Sequence, residues 1–294
     1  MQRQSVELDK RFAIVGLGRL GACLARALHC AGLSVVGLAD QQPARAQDLA
    51  DALGIHAVVR APARAAEGAD IVFVAVPDRA IAQVAASVEV SAGQAMVHTS
   101  GALDLTPLKA AQERGAFVGV FHPLQAFSPG ALAARFAGIA VGIDAQPPLF
   151  EQLARLAQKL GANHFPLRGV DRSLYHAAAV FASNYLVALV SAATRVWQEA
   201  GLPADAARAG LVTLSRGALE SLSAHDFARA LTGPLARGDT ATVSRHLQAL
   251  TIDPDSHALY QALGRELLRL PLNLTPEVVA ELQTLFSSSK SLPV

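Results

Sequence analysis

The stretch FAIVGLGRLGACLARALHCAG, residues 12–32, decides the fold. Four apolar residues run into a glycine-rich bend, and an alanine- and leucine-rich segment follows until Gly32 closes it. Gly16, Leu17, Gly18, Arg19, Leu20 and Gly21 spell G-x-G-x-x-G. That pattern alone is common. Here a strand precedes it, a helix follows, and Asp40 ends a second strand, SVVGLAD (34–40), about 20 residues further on, which is the full context of a dinucleotide fingerprint. Gly16 permits the tight turn, Gly18 lets a pyrophosphate approach the backbone, and Gly21 lets helix and strand pack closely. The helix start then offers free N–H groups and a positive dipole end to phosphate. Asp40 is placed to accept hydrogen bonds from ribose hydroxyls, which favours NAD; Arg45 nearby leaves NADP open.

Outward from this stretch, strands and helices alternate. PARAQDLADALG (43–54) reads as a helix with Pro43 in its first turn. HAVV (56–59), ADIVFVAVP (69–77), AMVHTS (95–100), AFVGVF (116–121) and GIAVGI (138–143) read as strands, and TPLKAAQERG (106–115) as a helix. Short continuous apolar runs between helices are what a parallel sheet covered on both faces requires. The expected class is α/β, a Rossmann-type doubly wound parallel sheet. After HFPLRGVDRS (164–173) strand-like runs cease, and helical segments follow at 171–200, 203–222, 226–232, 239–250, 254–268 and 275–287. The expected boundary lies near 168: residues 1–168 bind the dinucleotide, and 169–294 form an all-helical substrate and dimerisation domain.

With 294 residues, 52% hydrophobic and 17% charged, the chain can bury a large core and more surface by self-association. Its net charge is +1, and no basic patch or charge block argues for nucleic acid or an anionic membrane. The polar start MQRQSVELDKRF shows no leader peptide. Cys23 and Cys30 fall in one helix, ~10 Å apart along its axis, too far for a disulfide. A reduced, cytoplasmic protein is expected. HAAAVFASNYLVALVSAA (176–193) is long enough to span a bilayer but carries His176, Ser183, Asn184 and Tyr185. It reads instead as a buried or homodimer-forming helix.

In open α/β sheets ligands lie over the carboxyl ends of the strands. AVPD (75–78), HTSGA (98–102) and FHPLQ (121–125) sit there. Val76 and Pro77 are candidates to wall a ribose. Ser100 and Gly101 are candidates to bring a hydroxyl and a backbone amide to a nicotinamide. His122 and Gln125 are candidates to face the substrate.

GLGRLG, AVPD, HTSGA, GVFHPLQAF (119–127), YHAAAVFASNYLVAL (175–189) and LTGPLARGD (231–239) together resemble a family of two-domain Rossmann-like proteins. Its C-terminal helical domain is of unknown function, and its members are described as oxidoreductases. The family is similar to pyrroline-5-carboxylate reductase and deazaflavin-dependent NADP reductase, and more distantly to the 6-phosphogluconate dehydrogenase group. The resemblance covers nearly the whole chain, residues 11–270. It implies a helical domain that dimerises through its long helix and an active site in the cleft between domains. Members often have a Ser-Arg-Ser-like sequence after the second strand, suited to NADP; ADQQPAR (39–45) departs from it and puts that preference in doubt.

Transfer of a hydride to C=O or C=N needs an oriented nicotinamide, a proton donor and a polar clamp. None of the nine histidines forms an HExxH-like pair, so no metal is expected. His122 ends a strand at the ligand edge, as a general acid or as a residue that fixes the turn before Pro123. His98 reads as a packing or loop-pinning group. His176, Ser183 and Asn184 share one stripe of the long helix expected at 171–200, and that stripe is expected to face the cleft; Tyr175 points elsewhere and reads as packing. Arg237, at a helix–turn–helix connection, is a candidate clamp for a substrate carboxylate or phosphate. Asp239 is the expected N-cap of the next helix. The expected activity is reduction or dehydrogenation of a small carbonyl or imine with NAD or NADP, His122 or His176 supplying the proton. A non-catalytic dinucleotide-binding sensor is the alternative, and hydride exchange with a deazaflavin a third reading by analogy.

Overall fold

A computed structural model describes residues 9–55, 59–128 and 133–288. The chain divides into two compact units, Met1–Phe181 and Ala182–Val294.

In the first unit, seven strands are described: β1 (Arg11–Val15), β2 (Ser34–Ala39), β3 (Ile71–Val74), β4 (Ala95–His98), β5 (Phe117–Pro123), β6 (Ala140–Ala145) and β7 (Asn163–Pro166). Helices α1 (Arg19–Cys30), α2 (Pro43–Leu53), α3 (Asp78–Ser87), α4 (Lys109–Glu113), α5 (Leu149–Lys159) and α6 (Arg172–Ala182) accompany them. The strands lie in the order β2-β1-β3-β4-β5-β6-β7. Neighbours from β2 through β5 pair in parallel, as expected of a doubly wound sheet.

The all-parallel expectation needs one correction. β6 runs antiparallel to β5, with His122 opposite Gly142 and Pro123 opposite Val141. An antiparallel neighbour requires no crossover helix, and the described part of the connection from β5 to β6 holds only a 3-10 turn, Ala133–Phe136. β7, parallel to β6, is a further strand that the sequence patterning does not announce. It is four residues long, half-exposed and ends in Pro166, features tolerated on a sheet edge. α3 and α5 are also additions to the expected elements. The segment 56–58 of the expected HAVV strand lies outside the described residues; Val59 makes an isolated parallel bridge to Leu38.

Period-two alternation splits each central strand between two cores. Phe12 and Ile14 of β1, Phe73 of β3 and Phe121 of β5 pack on one face with Leu24 and Leu28 of α1 and Leu153 and Leu156 of α5. Ala13, Val15, Val72, Val74 and Met96 pack on the other with Ile81 of α3 and Leu108. Burial on both faces is why these strands read as unbroken apolar runs. Phe12, Phe73 and Phe121 form a ring series across the sheet, with centroids 6.3 and 5.6 Å apart.

The second unit is helical among its described residues: α7 (Asn184–Glu199), α8 (Ala204–Ala224), α9 (Phe227–Ala230), α10 (Thr240–Ala249), α11 (Pro254–Leu267) and α12 (Pro276–Ser287). Asp226, Asp239, Asp253 and Thr275 cap α9, α10, α11 and α12 by accepting a backbone N–H, and Asp239 does so as expected. Leu235, Val243, Leu247, Leu282 and Phe286 form its core. Gly264 admits the Phe286 ring, which would otherwise overlap a side chain there. α7 and α8 bury only Ala192 and Ala207.

The long segment expected at 171–200 is not one helix. α6 ends at Ala182, Ser183 adopts φ −120° and ψ −67°, and α7 begins at Asn184. The units divide at this point rather than near residue 168. α6 is held to the first unit by a buried ion pair, Arg172 Nη2 to Asp144 Oδ2 at 2.6 Å.

Candidate functional site

The β1–α1 bend is built by its three glycines, each for a different reason. Gly16 has φ +91°, and a Cβ there would stand 2.6 Å from Val76 Cγ1 and 2.7 Å from the Ala75 carbonyl. A Cβ on Gly21 would lie 1.9 Å from the Gly16 carbonyl oxygen, so only glycine lets α1 start this close to the turn. Around Gly18 a Cβ would meet nothing within 4 Å. The open space lies where a pyrophosphate would come. Gly18 is the N-cap of α1 and supplies no side chain to its first-turn N–H groups, so they are available to an anion. Leu17 is buried, Leu20 half-buried and Arg19 exposed. This bend fits a dinucleotide phosphate.

Asp40 does more than sequence predicts. One carboxylate oxygen accepts the Leu17 N–H at 2.7 Å and the other the Gln42 N–H at 2.9 Å. The acid that is placed for a ribose also ties the glycine bend to the end of β2. Arg45 is exposed on α2. Val76 leans on Gly16, and Pro77 caps α3 from the same strand end.

At the end of β4, His98 is fully buried. Its Nδ1 accepts the Ser100 N–H at 3.2 Å, so Nε2 carries the hydrogen and donates to the Asp104 carbonyl at 2.8 Å. Burial holds its pKa below the usual histidine value. It pins the 98–104 loop. The Ser100 hydroxyl oxygen accepts the N–H groups of Ala102 and Leu103, at 3.2 and 3.3 Å, which leaves its hydrogen free to donate. A Cβ on Gly101 would lie 2.6 Å from His122 Cε1 and 2.7 Å from Nε2, so Gly101 is the floor beneath that imidazole.

His122 is where these strand ends converge. The Tyr175 hydroxyl lies 2.6 Å from its Nδ1, with the rings edge to face at 5.5 Å and 85°. Phe165 of β7 packs against Tyr175 from behind, at 6.1 Å. Burial first, then electrostatic interaction with His176 and Arg172, pushes the His122 pKa down to about 4. The imidazole is neutral at pH 7. Burial raises the Tyr175 pKa, and Arg172 opposes that rise.

Tyr175 corrects the packing role expected of it. The expected direction, about 100° from His176 on α6, is right; that direction leads to His122. His176 itself is exposed within this unit. The continuous helix expected to carry the stripe of His176, Ser183 and Asn184 is interrupted at Ser183; Ser183 Oγ donates to Asn184 Oδ1 at 2.9 Å. Ser183, Asn184 and Arg237 belong to the second unit, where all three are exposed. Gln125 is exposed just beyond β5, and its side-chain oxygen accepts the Ala126 N–H at 2.9 Å. No group of three or more His, Cys, Asp or Glu suited to a metal occurs among the described residues.

The first unit is thus a Rossmann-type fold with a glycine bend shaped for phosphate and a neutral histidine at the ligand edge of its sheet. Residues 11–101 match the family described as NADP oxidoreductase, coenzyme F420-dependent, and residues 139–267 match a domain of unknown function, DUF2520. A protein of Bacteroides fragilis, described provisionally as an NADP oxidoreductase, is 25% identical with a TM-score of 0.68, over 88% of this chain and 98% of its own. A protein of Thermotoga maritima is 25% identical with a TM-score of 0.70, over 92% and 98%. The 1-pyrroline-5-carboxylate reductase of Streptococcus pyogenes shares the fold at 15% identity, with a TM-score of 0.62 over 90% and 100%. No curated protein matches the chain.

Proposed function

We propose that this protein is an NAD(P)-dependent reductase or dehydrogenase acting on a small carbonyl or imine compound. One observation carries the reading. His122 sits at the carboxyl end of β5, in the same sheet whose β1–α1 bend is shaped for a pyrophosphate, and its Nε2 has no hydrogen-bond partner among the described residues. β5 lies three strand spacings from β1, ~14 Å, with β3 and β4 between. A dinucleotide bound in this bend supplies or accepts a hydride at the substrate's unsaturated carbon. Gly16, Gly18 and Gly21 shape the phosphate seat, and the Ser100 hydroxyl and the Gly101 backbone border the reacting end. His122 meets the substrate heteroatom, with Gln125 and His176 at the rim. Asp40 disfavours a 2′-phosphate, so NAD is the preferred nucleotide.

We assign the second unit to homodimerisation. Val187 and Leu214 are each 71% exposed, and an apolar groove of about 700 Å³ runs along Leu189, Val196, Trp197, Leu211, Leu259 and Leu263. The segment Arg172–Glu199, α6 and α7 together, is long and apolar enough to cross a membrane; homodimer burial accounts for that apolarity without a membrane. Neither Cys23 nor Cys30 forms a disulfide, which suits the reducing cytoplasm.

Calorimetric titration with NADH and NADPH, followed by a screen of small oxo acids and cyclic imines, tests the reading. Binding of either nucleotide with turnover of one substrate class is expected. Absence of binding at millimolar nucleotide would remove the proposal, and binding without turnover would favour the sensor.

A further inference from the structure

A neutral imidazole is a poor acid. Its remaining N–H leaves only if the ring takes another proton at the same time. What stands behind His122 therefore decides whether it can serve as a donor. The group behind it is not a carboxylate. It is the Tyr175 phenol, 2.6 Å from Nδ1, and this is the only hydrogen bond of the His122 ring among the described residues. Asp144, which lies on the neighbouring strand, is engaged by Arg172.

Resting on the reductase reading above, we infer that Tyr175 is a positioning residue and proton source that acts through His122: its O–H donates to Nδ1, fixes the Nε2–H tautomer, and feeds a proton into the ring as Nε2 gives one to the substrate heteroatom.

The atoms balance. Reduction breaks the C=O or C=N π bond and forms a C–H bond with a hydride from a dihydronicotinamide, which is oxidised, and it leaves the heteroatom short of one proton. Nε2–H supplies that proton. The phenol O–H moves to Nδ1, and the ring stays neutral throughout. A tyrosinate remains. A solvent proton arriving at Nε2 sends the Nδ1 proton back to the tyrosinate, and no ring flip is needed. Gly101 beneath and Tyr175 at the edge hold the ring in one orientation for both strokes.

The charges around the pair suit this sequence of transfers. Arg172, on the same helix as Tyr175, favours the tyrosinate, and its buried Nη1 has no hydrogen-bond partner among the described residues. Burial acts most strongly against an imidazolium at His122, followed by His176 and Arg172 on α6 and, more weakly, His98 on β4, while Asp78 at the start of α3 acts for it. The neutral ring prevails. A simple imidazolium acid is the form this environment suppresses.

The test reads the tautomer before it reads turnover. In ¹⁵N-labelled full-length protein between pH 6 and 8, with His122 assigned by His122→Gln, imidazole correlation spectra should show hydrogen on Nε2 alone and an Nδ1 resonance displaced by hydrogen bonding. Tyr175→Phe should move that Nδ1 resonance toward its unbonded position. A His122 ring with hydrogen on Nδ1, or on both nitrogens, at pH 7 overturns the inference, as does an Nδ1 shift unchanged by Tyr175→Phe. The second arm uses NADH or NADPH with 1-pyrroline as the imine probe. Tyr175→Phe should keep nucleotide affinity and lower kcat by at least ~10²-fold, and wild type should show a curved proton inventory in H₂O–D₂O mixtures that becomes linear in the variant. Turnover by Tyr175→Phe at the wild-type rate overturns the relay. Failure of every nucleotide to bind, with the tautomer as described, sinks the reductase reading and leaves the hydrogen-bond assignment standing.

Discussion

Glycines 16, 18 and 21 are chemically identical yet face three different demands. Gly16 and Gly21 are required by backbone and neighbours, and Gly18 only by what approaches from outside. This separates folding from binding. Gly18→Ala, in extended backbone with free space around it, should cost no more than ~1 kcal/mol in urea unfolding yet weaken nucleotide binding at least ~10-fold by calorimetry, an effect of about 1.4 kcal/mol. Gly21→Ala, whose Cβ would meet a carbonyl oxygen at 1.9 Å, should destabilise the fold by about 2 kcal/mol or more. Equal stability losses in the two variants would contradict this division. Asp40 combines two duties in one carboxylate. Asp40→Asn keeps an oxygen to accept the Leu17 N–H while removing the charge that opposes a 2′-phosphate. The ratio of kcat/KM for NADPH over NADH should rise about tenfold; an unchanged ratio would mean that Asp40 serves the loop alone.

At the scale of elements, the apolar pattern at 171–200 is continuous but the helix is not. α6 is anchored at its start by Arg172 to Asp144 and by Tyr175 to His122, and Ser183 separates it from α7. α7 and α8 carry most of the large apolar residues exposed in the second unit, Tyr185, Val187, Val212, Leu214, Leu219 and Leu222. Since those side chains contribute little to the fold of the monomer, charging them should leave it intact. Val187→Glu with Leu214→Glu should convert a dimer to a monomer in sedimentation equilibrium with an unchanged far-ultraviolet circular dichroism spectrum. A wild-type protein that sediments as a monomer would remove the dimer proposal. α5 shows the converse lesson. It is absent from the expected elements, yet Leu149, Leu153, Leu156 and Ala157 repeat at helical spacing, and their burial against β5 and β6 makes this helix one wall of the core.

For the whole molecule, the low His122 pKa links the site to stability. Folded protein keeps this ring neutral down to about pH 4, whereas an unfolded chain protonates it near ~6.5. Between those values the unfolded state binds more protons, so stability falls as pH falls from about 6.5 toward about 4. The contribution lost is at most about 3 kcal/mol. Buried His98 adds a shift in the same direction. Urea midpoints measured from pH 7.5 to 4.5 should therefore drop more steeply for wild type than for His122→Gln, and parallel slopes would refute the linkage.

The local pattern alone determined the parallel α/β half, the glycine bend with its acidic partner on β2, and the helical character of the second half. Each rests on residues close in sequence, where periodicity and turn chemistry act over a few residues. It did not determine the reversal of β6, the edge strand β7, the break at Ser183 or the partnership of Tyr175 with His122. Those depend on which distant segments meet. Tyr175 stands next to His176 in the chain, yet its hydroxyl lies against a ring 53 positions earlier. Helix rotation sets the direction of a side chain, but only the packing of α6 against β5, β6 and β7 sets what it finds there.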